Sequence, residues 1–351
     1  MKRGFRDRDH LQTPEMLYFT AVGNVHPKDR VLSYLKYIPD RSGKWGRRRK
    51  YRRAMETYST LQIGKCLDFL RRNYPQYVFH SNLHNLTFSA VPKKLIAQHY
   101  QPERKLQQLL IKHELDSLEK KTVNLVHVLA DESSVDLRSF GVTGSVLLGI
   151  HRTEFSDIDL TVYGNRSSIA LRDALIRIFQ DKHSSIKRFS ARKLSQISET
   201  EGKVHHLTPF EATRIYKRKW NRGEFQNTFF SLHPVKTESE VSERYRDRMY
   251  LPRGIVTVKA QISDASEAFF MPARYGVRGV KMLQGPIVPN IREIVAYEGL
   301  FADIASEGEE VICRGKLEQV RDRKEGETYN RILVGSIEAS ESDYIIPKPS
   351  C

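Results

Sequence analysis

Residues 141–164 read GVTGSVLLGIHRTEFSDIDLTVYG, and the reading of this stretch decides the fold. Gly144 and Ser145 follow a short β-like run and open a helical turn. The backbone N–H groups left unsatisfied at such a turn, with the positive helix end behind them, suit phosphate oxygens. Glycine lets the backbone approach closely, and the Ser145 hydroxyl adds a donor. After eleven intervening residues come Asp157 and Asp159. On a strand, positions i and i+2 face the same side. Both carboxylates therefore project together, while Ile158 and Leu160 enter the core. Two hard oxygen ligands on one edge suit Mg2+, which also takes substrate phosphates as ligands.

Outward from this centre the pattern alternates. Residues 140–143 and 158–162 read as strands, and 145–150 as a helical turn or two. Residues 166–180 read as an amphipathic helix with Ile169, Leu171, Leu175, Ile176 and Phe179 as its apolar members. A helix over 209–220 and a strand over 227–235 continue the alternation, which predicts a mixed sheet with helices packed on it. Upstream, residues 102–130 carry Leu106, Leu109, Leu118, Leu125, Val126 and Leu129 at helical spacing. Further upstream, 16–22 and 31–38 are β-like around turn chemistry, 61–73 is helical, and 77–79 and 85–91 are short strands. Downstream, 238–250 is highly charged and predicts a helical linker. Short β runs then recur at 255–262, 268–271, 277–283, 294–300, 310–318 and 330–336. That pattern predicts a small β-barrel-like domain, compatible with an OB-like nucleic-acid binder.

The expected fold class is therefore α/β or α+β, in three blocks. Residues 1–100 form a basic N-terminal α+β region. Residues 101–237 hold the mixed-sheet core with its preceding helices. Residues 238–351 form the β-rich C-terminal domain.

The charge points to a polyanion. Fifty-eight Lys and Arg stand against 42 Asp and Glu, a formal +16, in a chain that is 39% hydrophobic and able to build cores. Such an excess usually serves nucleic acid or an acidic membrane surface, the alternative being a solvated basic surface. No apolar run is long enough for a bilayer-spanning helix. The first ten residues lack the apolar core of a secretory signal. Cys66, Cys313 and Cys351 are isolated and odd in number, so they make neither a zinc pair nor a disulfide framework. Cys66 and Cys313 read as small core hydrophobes, Cys351 as a tail residue, and the setting as a reducing cytoplasm.

The spacing of Val142-Thr143-Gly144-Ser145 and Asp157-Ile158-Asp159-Leu160, with Ser156 before, resembles the polymerase-β-type nucleotidyltransferase superfamily. Its pattern is hG[GS], a short gap, then Dh[DE]h. The superfamily includes CCA-adding enzymes, poly(A) polymerases and small antibiotic-modifying transferases. The layout looks most like an uncharacterised group of archaeal predicted nucleotidyltransferases. The resemblance covers residues 140–236. It implies a palm-like core that binds an NTP at Gly144 and Ser145, holds Mg2+ at Asp157 and Asp159, and transfers NMP to an acceptor. Members usually supply a third carboxylate from a later neighbouring strand. Here the candidate strand, NTFFSLHPV at 227–235, carries none. Ser231 and His233 share the face where the acid belongs. Glu224 precedes that strand, and Asp264 follows a later one.

Residues 44–53, KWGRRRKYRR, hold seven positive charges. Arg47, Arg48, Arg49, Lys50, Arg52 and Arg53 suit phosphates, and Trp45 or Tyr51 could stack on an unpaired base. The bare alternative is a solvated loop. Arg214, Lys217 and Arg218 share a predicted helix face that suits triphosphate or RNA backbone, or solvent. The histidines lack metal-ligand spacing in sequence. Two functions follow as expectations: an Mg2+-dependent nucleotidyltransferase acting on RNA, and an inactive transferase core within an RNA-binding protein.

Overall fold

A computed structural model describes residues 3–57, 60–339 and 343–348; Cys351 lies outside them. Along the chain, β1 (His10–Gln12), β2 (Tyr18–Ala21), β3 (Arg30–Pro39) and β4 (Tyr51–Arg53) come first. Helix α1 (Thr60–Asn73), β5 (Val78–Ser81), β6 (Leu86–Pro92) and β7 (Gln98–Tyr100) follow. Then α2 (Pro102–Leu110) and α3 (Ser117–Ser133) lead into β8 (Phe140–Val142), α4 (Gly144–Leu147), β9 (Ile158–Tyr163) and α5 (Asn165–Ile178). Next are β10 (Ile186–Lys187), α6 (Ala191–Val204), α7 (Pro209–Arg218), β11 (Arg222–Phe225) and β12 (Thr228–Val235). The chain closes with β13 (Arg248–Asp264), β14 (Ala273–Gln284), β15 (Ile291–Ala296), β16 (Glu310–Asp322), β17 (Glu327–Val334) and β18 (Tyr344–Pro347).

These elements gather into two compact units, each drawn from three chain segments. The first takes Met1–Ala54, Ala90–Ser190 and Trp220–Ser242; the second takes Met55–Ser89, Ala191–Lys219 and Glu243–Cys351.

The first unit holds the central motif. Its five-stranded sheet runs β10-β11-β12-β9-β8, with β9 and β12 parallel and the other pairs antiparallel. Ile158, Leu160 and Val162 are fully buried on one face of β9, as the alternation requires. Helix α3 starts at a capping box, in which the Asp116 carboxylate accepts from the Glu119 backbone and Glu119 accepts from the Asp116 backbone. Helix α5 buries Leu171, Ala174, Leu175 and Ile178. Ile169 and Ile176, expected on that face, are exposed. The apolar stripe is rotated because Ala174 and Ile178 continue the Leu171–Leu175 ridge at helical spacing. A second sheet of this unit pairs β3, β2, β1 and β7 in that order, with β4 on β3. Residues 90–92 of β6 pair with β3.

The second unit carries the C-terminal strands in one six-stranded sheet, β13-β14-β15-β17-β16-β18, with β13 pairing β16 as well. The expectation of a small β-barrel-like C-terminal domain is corrected: the strands make a six-stranded sheet, not a barrel. Strand β18 joins β16 at 311–314 and ends the sheet. Its apolar side shares one core with Leu207, Ala212, Ile215 and Tyr216 from α7 and the turn before it. Short β runs in a sequence give a strand number, and carry no information on how the edges are dealt with. The helical linker expected at 238–250 is also corrected. Only Glu238–Glu240 is helical, as a single 3-10 turn, and β13 already begins at Arg248. The run at 268–271 is a turn rather than a strand. Cys66 and Cys313 are buried. No helix among the described residues is long and apolar enough to cross a membrane.

Candidate functional site

Asp157 immediately precedes β9 and Asp159 lies within it, so both carboxylates stand on the face opposite the buried Ile158 and Leu160. The turn from β8 into α4 closes onto them. The Thr143 N–H donates to the Asp159 carbonyl at 2.8 Å. Gly144 has a φ of +65°, and a Cβ built there would lie 2.1 Å from Asp159 Oδ2. The carboxylate thus fills the space that any larger residue at 144 would need. Ser145 is buried, and α4 is a single turn.

The parallel register of β12 on β9 sets Ser231 opposite Asp159. The Ser231 hydroxyl donates to Asp159 Oδ1 at 2.6 Å, and His233 Nε2 lies 2.9 Å from that hydroxyl. His233 Nε2 is 3.9 Å from Asp159 Oδ1, so its hydrogen bond is to the serine. With Ser231 donating onward, the serine oxygen accepts from His233 Nε2–H. The position beside Asp159 where a third acid was sought is therefore held by a hydroxyl backed by an imidazole. Glu224 sits on β11 opposite Phe229, one strand further out, and Asp264 is in the second unit.

The second sheet of the unit contributes Lys36 and His10, which sequence reading missed. Burial raises the Asp157 carboxyl to about 6, with the Asp159 charge adding to it and Arg53 and Lys36 opposing. Burial also pushes Asp159 up, but His233, Lys36 and Ser231 outweigh it and hold this carboxyl well below the usual range. Burial lowers His233 to about 3, with Arg8 adding to the effect, so it is neutral near pH 7. His10 on β1 is fully buried, and burial and Lys36 keep it neutral too. Lys36, Arg8 and His10 lie more than a hundred positions before the Asp-x-Asp motif, and no local pattern marks them.

A second cluster was also missed. Asp116, Glu119 and His151 bring their ligand atoms within 4.8 Å of one another and could hold a metal ion. His151 Nε2 lies 2.8 Å from Asp116 Oδ2, and Lys112 pairs with Glu119. The Asp-x-x-Glu spacing at 116–119 is readable as a helix cap. The approach of His151 comes only with the fold.

Residues 44–53 form most of the loop between β3 and β4 and the whole of β4. Arg47, Arg48, Arg49 and Arg52 are exposed, with Lys50 and Arg53 half-buried. The aromatic residues are not free for bases. Tyr51 is buried. Trp45 packs against Tyr37 and Phe155, both at 5.7 Å, with the Arg53 guanidinium 4.8 Å over its ring. Arg214 and Arg218 are committed within the second unit. Arg214 donates to the Pro347 carbonyl, and Arg218 pairs with Glu309 at 2.7 Å. Both arginines are thus held by partners of their own unit.

Among known proteins, no family model matches the chain, and no solved structure matches it. A curated protein does. The chain is 30% identical over 350 residues to "Uncharacterized protein MJ1086" of Methanocaldococcus jannaschii, covering 97% of this chain and 98% of that protein. A match of this extent covers both units and the whole candidate site, and the chain belongs to the same family as MJ1086.

Proposed function

We propose that the first unit is the core of an Mg2+-dependent nucleotidyltransferase that transfers NMP from an NTP to an acceptor, most favourably RNA. The observation that carries this reading is the convergence of two separated motifs. The Gly144 turn closes directly on Asp159, with Asp157 beside it on the same face. The donor set fits Mg2+. Asp157 and Asp159 offer hard carboxylate oxygens, and Asp159 Oδ2 faces a turn whose glycine leaves room for close approach. Asp157 and Asp159 would hold the ion. Bound there, it would neutralise charge on the triphosphate and on the departing pyrophosphate.

The chain's own residues supply the rest. Ser231 and His233 fix the orientation of Asp159 and keep it ionised. Lys36, Arg8 and Arg53 make the surroundings of the acid pair positive, which favours a polyanionic substrate. In the reaction an acceptor oxygen forms the new bond to the α-phosphorus. The bond from that phosphorus to the pyrophosphate oxygen breaks, and the acceptor proton passes to a base. The exposed arginines of residues 47–49 suit the acceptor RNA.

A second reading, an inactive transferase core serving RNA binding, is favoured by Ser231. It occupies the place beside Asp159 where the family pattern has an acid. Incubation with α-labelled NTPs, Mg2+ and total RNA separates the two. Label transfer that disappears in Asp157→Ala supports the enzyme. NTP binding without transfer supports the inactive core. Absence of both removes the transferase reading.

A further inference from the structure

The loop after β3 does more than present charge. Pro39, Asp40, Arg41, Arg48, Arg49 and Lys50 line an open surface depression of about 380 Å³. Four cationic residues therefore border one depression. Its single carboxylate is already answered. Asp40 pairs with Arg52 at 3.1 Å and accepts from the Ser42 backbone and hydroxyl at 2.8 and 2.7 Å. None of Arg41, Arg48, Arg49 and Lys50 forms an ion pair among the described residues.

The depression is also braced. Trp45 and Tyr51 exchange both backbone hydrogen bonds, at 3.2 and 2.9 Å, and the Asp40 N–H donates to the Lys50 carbonyl at 3.0 Å. The Gly46 N–H donates to the Ile150 carbonyl at 2.7 Å, which ties the loop to the segment entering Asp157. Gly46 has a φ of +80°, and a Cβ there would lie 2.2 Å from the Arg49 carbonyl oxygen. A preformed backbone lowers the ordering cost of binding.

We infer that this depression binds a terminal phosphate group at the 5′ end of an RNA chain. A phosphodiester within a strand carries one charge, and a binding surface follows it with cations set along a groove. A terminal phosphate carries roughly two charges and three strong acceptor oxygens. It suits several arginine and lysine side chains gathered around one depression. Trp45 and Tyr51 are committed to packing, so the loop reads phosphate and not bases. The inference rests on the nucleic-acid part of the proposed function and is independent of its transfer chemistry.

The test is fluorescence anisotropy at one fixed salt concentration, with a short unstructured RNA carrying a 5′-triphosphate, 5′-monophosphate or 5′-hydroxyl end. Inorganic tripolyphosphate serves as competitor. Phosphorylated ends should bind about tenfold more tightly than the hydroxyl end, the worth of one charge-assisted hydrogen bond. The preference should vanish in the exposed double variant Arg48→Ala/Arg49→Ala, whose folding is checked by circular dichroism. Equal binding of all three RNAs overturns the end-group inference and leaves RNA binding standing. A preference that survives in the double variant overturns its location. Tripolyphosphate binding as tight as triphosphorylated RNA overturns RNA as the source of the phosphate. Binding of no RNA form overturns both the inference and the RNA reading.

Discussion

At the scale of single residues, the centre depends on what is absent at 144 and on what stands at 231. Gly144→Ala places a methyl group against Asp159 Oδ2 and forces a left-handed backbone on an L side chain. The expected cost is at least about 1–2 kcal/mol in chemical denaturation, with NTP affinity lost as Asp159 is displaced. Unchanged stability would contradict the packing described. A histidine in the second unit gives a pH signature. His205 is buried between Glu201, at 3.2 Å, and Glu298, at 2.9 Å. Burial lowers its pKa, but the two carboxylates outweigh burial and raise it to about 9. A raised folded-state value means the stabilisation is complete below the unfolded value near 6.5 and is lost as pH rises through about 9. Stability should fall by on the order of 2–3 kcal/mol between pH 6 and pH 10, and His205→Asn should remove that dependence. At this scale the sequence showed Asp157, Asp159 and Gly144 through local spacing. It could not show Lys36, Arg8 or the Asp116–His151 approach, because those depend on strand pairing and loop closure over long separations.

Elements were legible where period and length agreed. Strand β9 and helix α7 follow directly from alternation and apolar spacing, and α2 and α3 together from the apolar spacing over 102–130. The registers between elements were not legible. That Ser231 stands opposite Asp159 follows from parallel pairing of β12 with β9, and a one-residue slip would have turned the serine away. The six-stranded C-terminal sheet escaped for a related reason: charged residues at 248–254 hid the first part of β13. Some of the sheet's charges are buried. Arg331 and Glu318 pair at 2.9 Å with almost no exposure, and the Arg331 guanidinium lies 3.6 Å over the Tyr250 ring. Glu318→Ala should cost about 3 kcal/mol by removing the buried partner of Arg331, which then keeps only Glu293 at 4.0 Å. A denaturation midpoint equal to wild type would show that the pair does not hold the sheet.

At the scale of the molecule, the three expected blocks and the two compact units divide the chain differently. Each unit collects segments far apart in sequence, and composition shifts along a chain cannot reveal such threading. The +16 charge makes its own prediction. RNA affinity should fall steeply with salt, and on single strands the slope should flatten by about 0.7 for each phosphate contact removed. Replacing Arg47, Arg48, Arg49 and Lys50 by alanine should flatten it measurably. A slope equal to wild type would place the RNA elsewhere. The central claim concerns Asp157, Asp159 and the Gly144 turn, and calorimetric titration of NTP into the protein tests it most directly. The account predicts NTP binding that is strengthened by Mg2+, and an Asp159→Asn variant that folds but loses this Mg2+ dependence. NTP binding indifferent to Mg2+ in both proteins, or no binding at all, would contradict it.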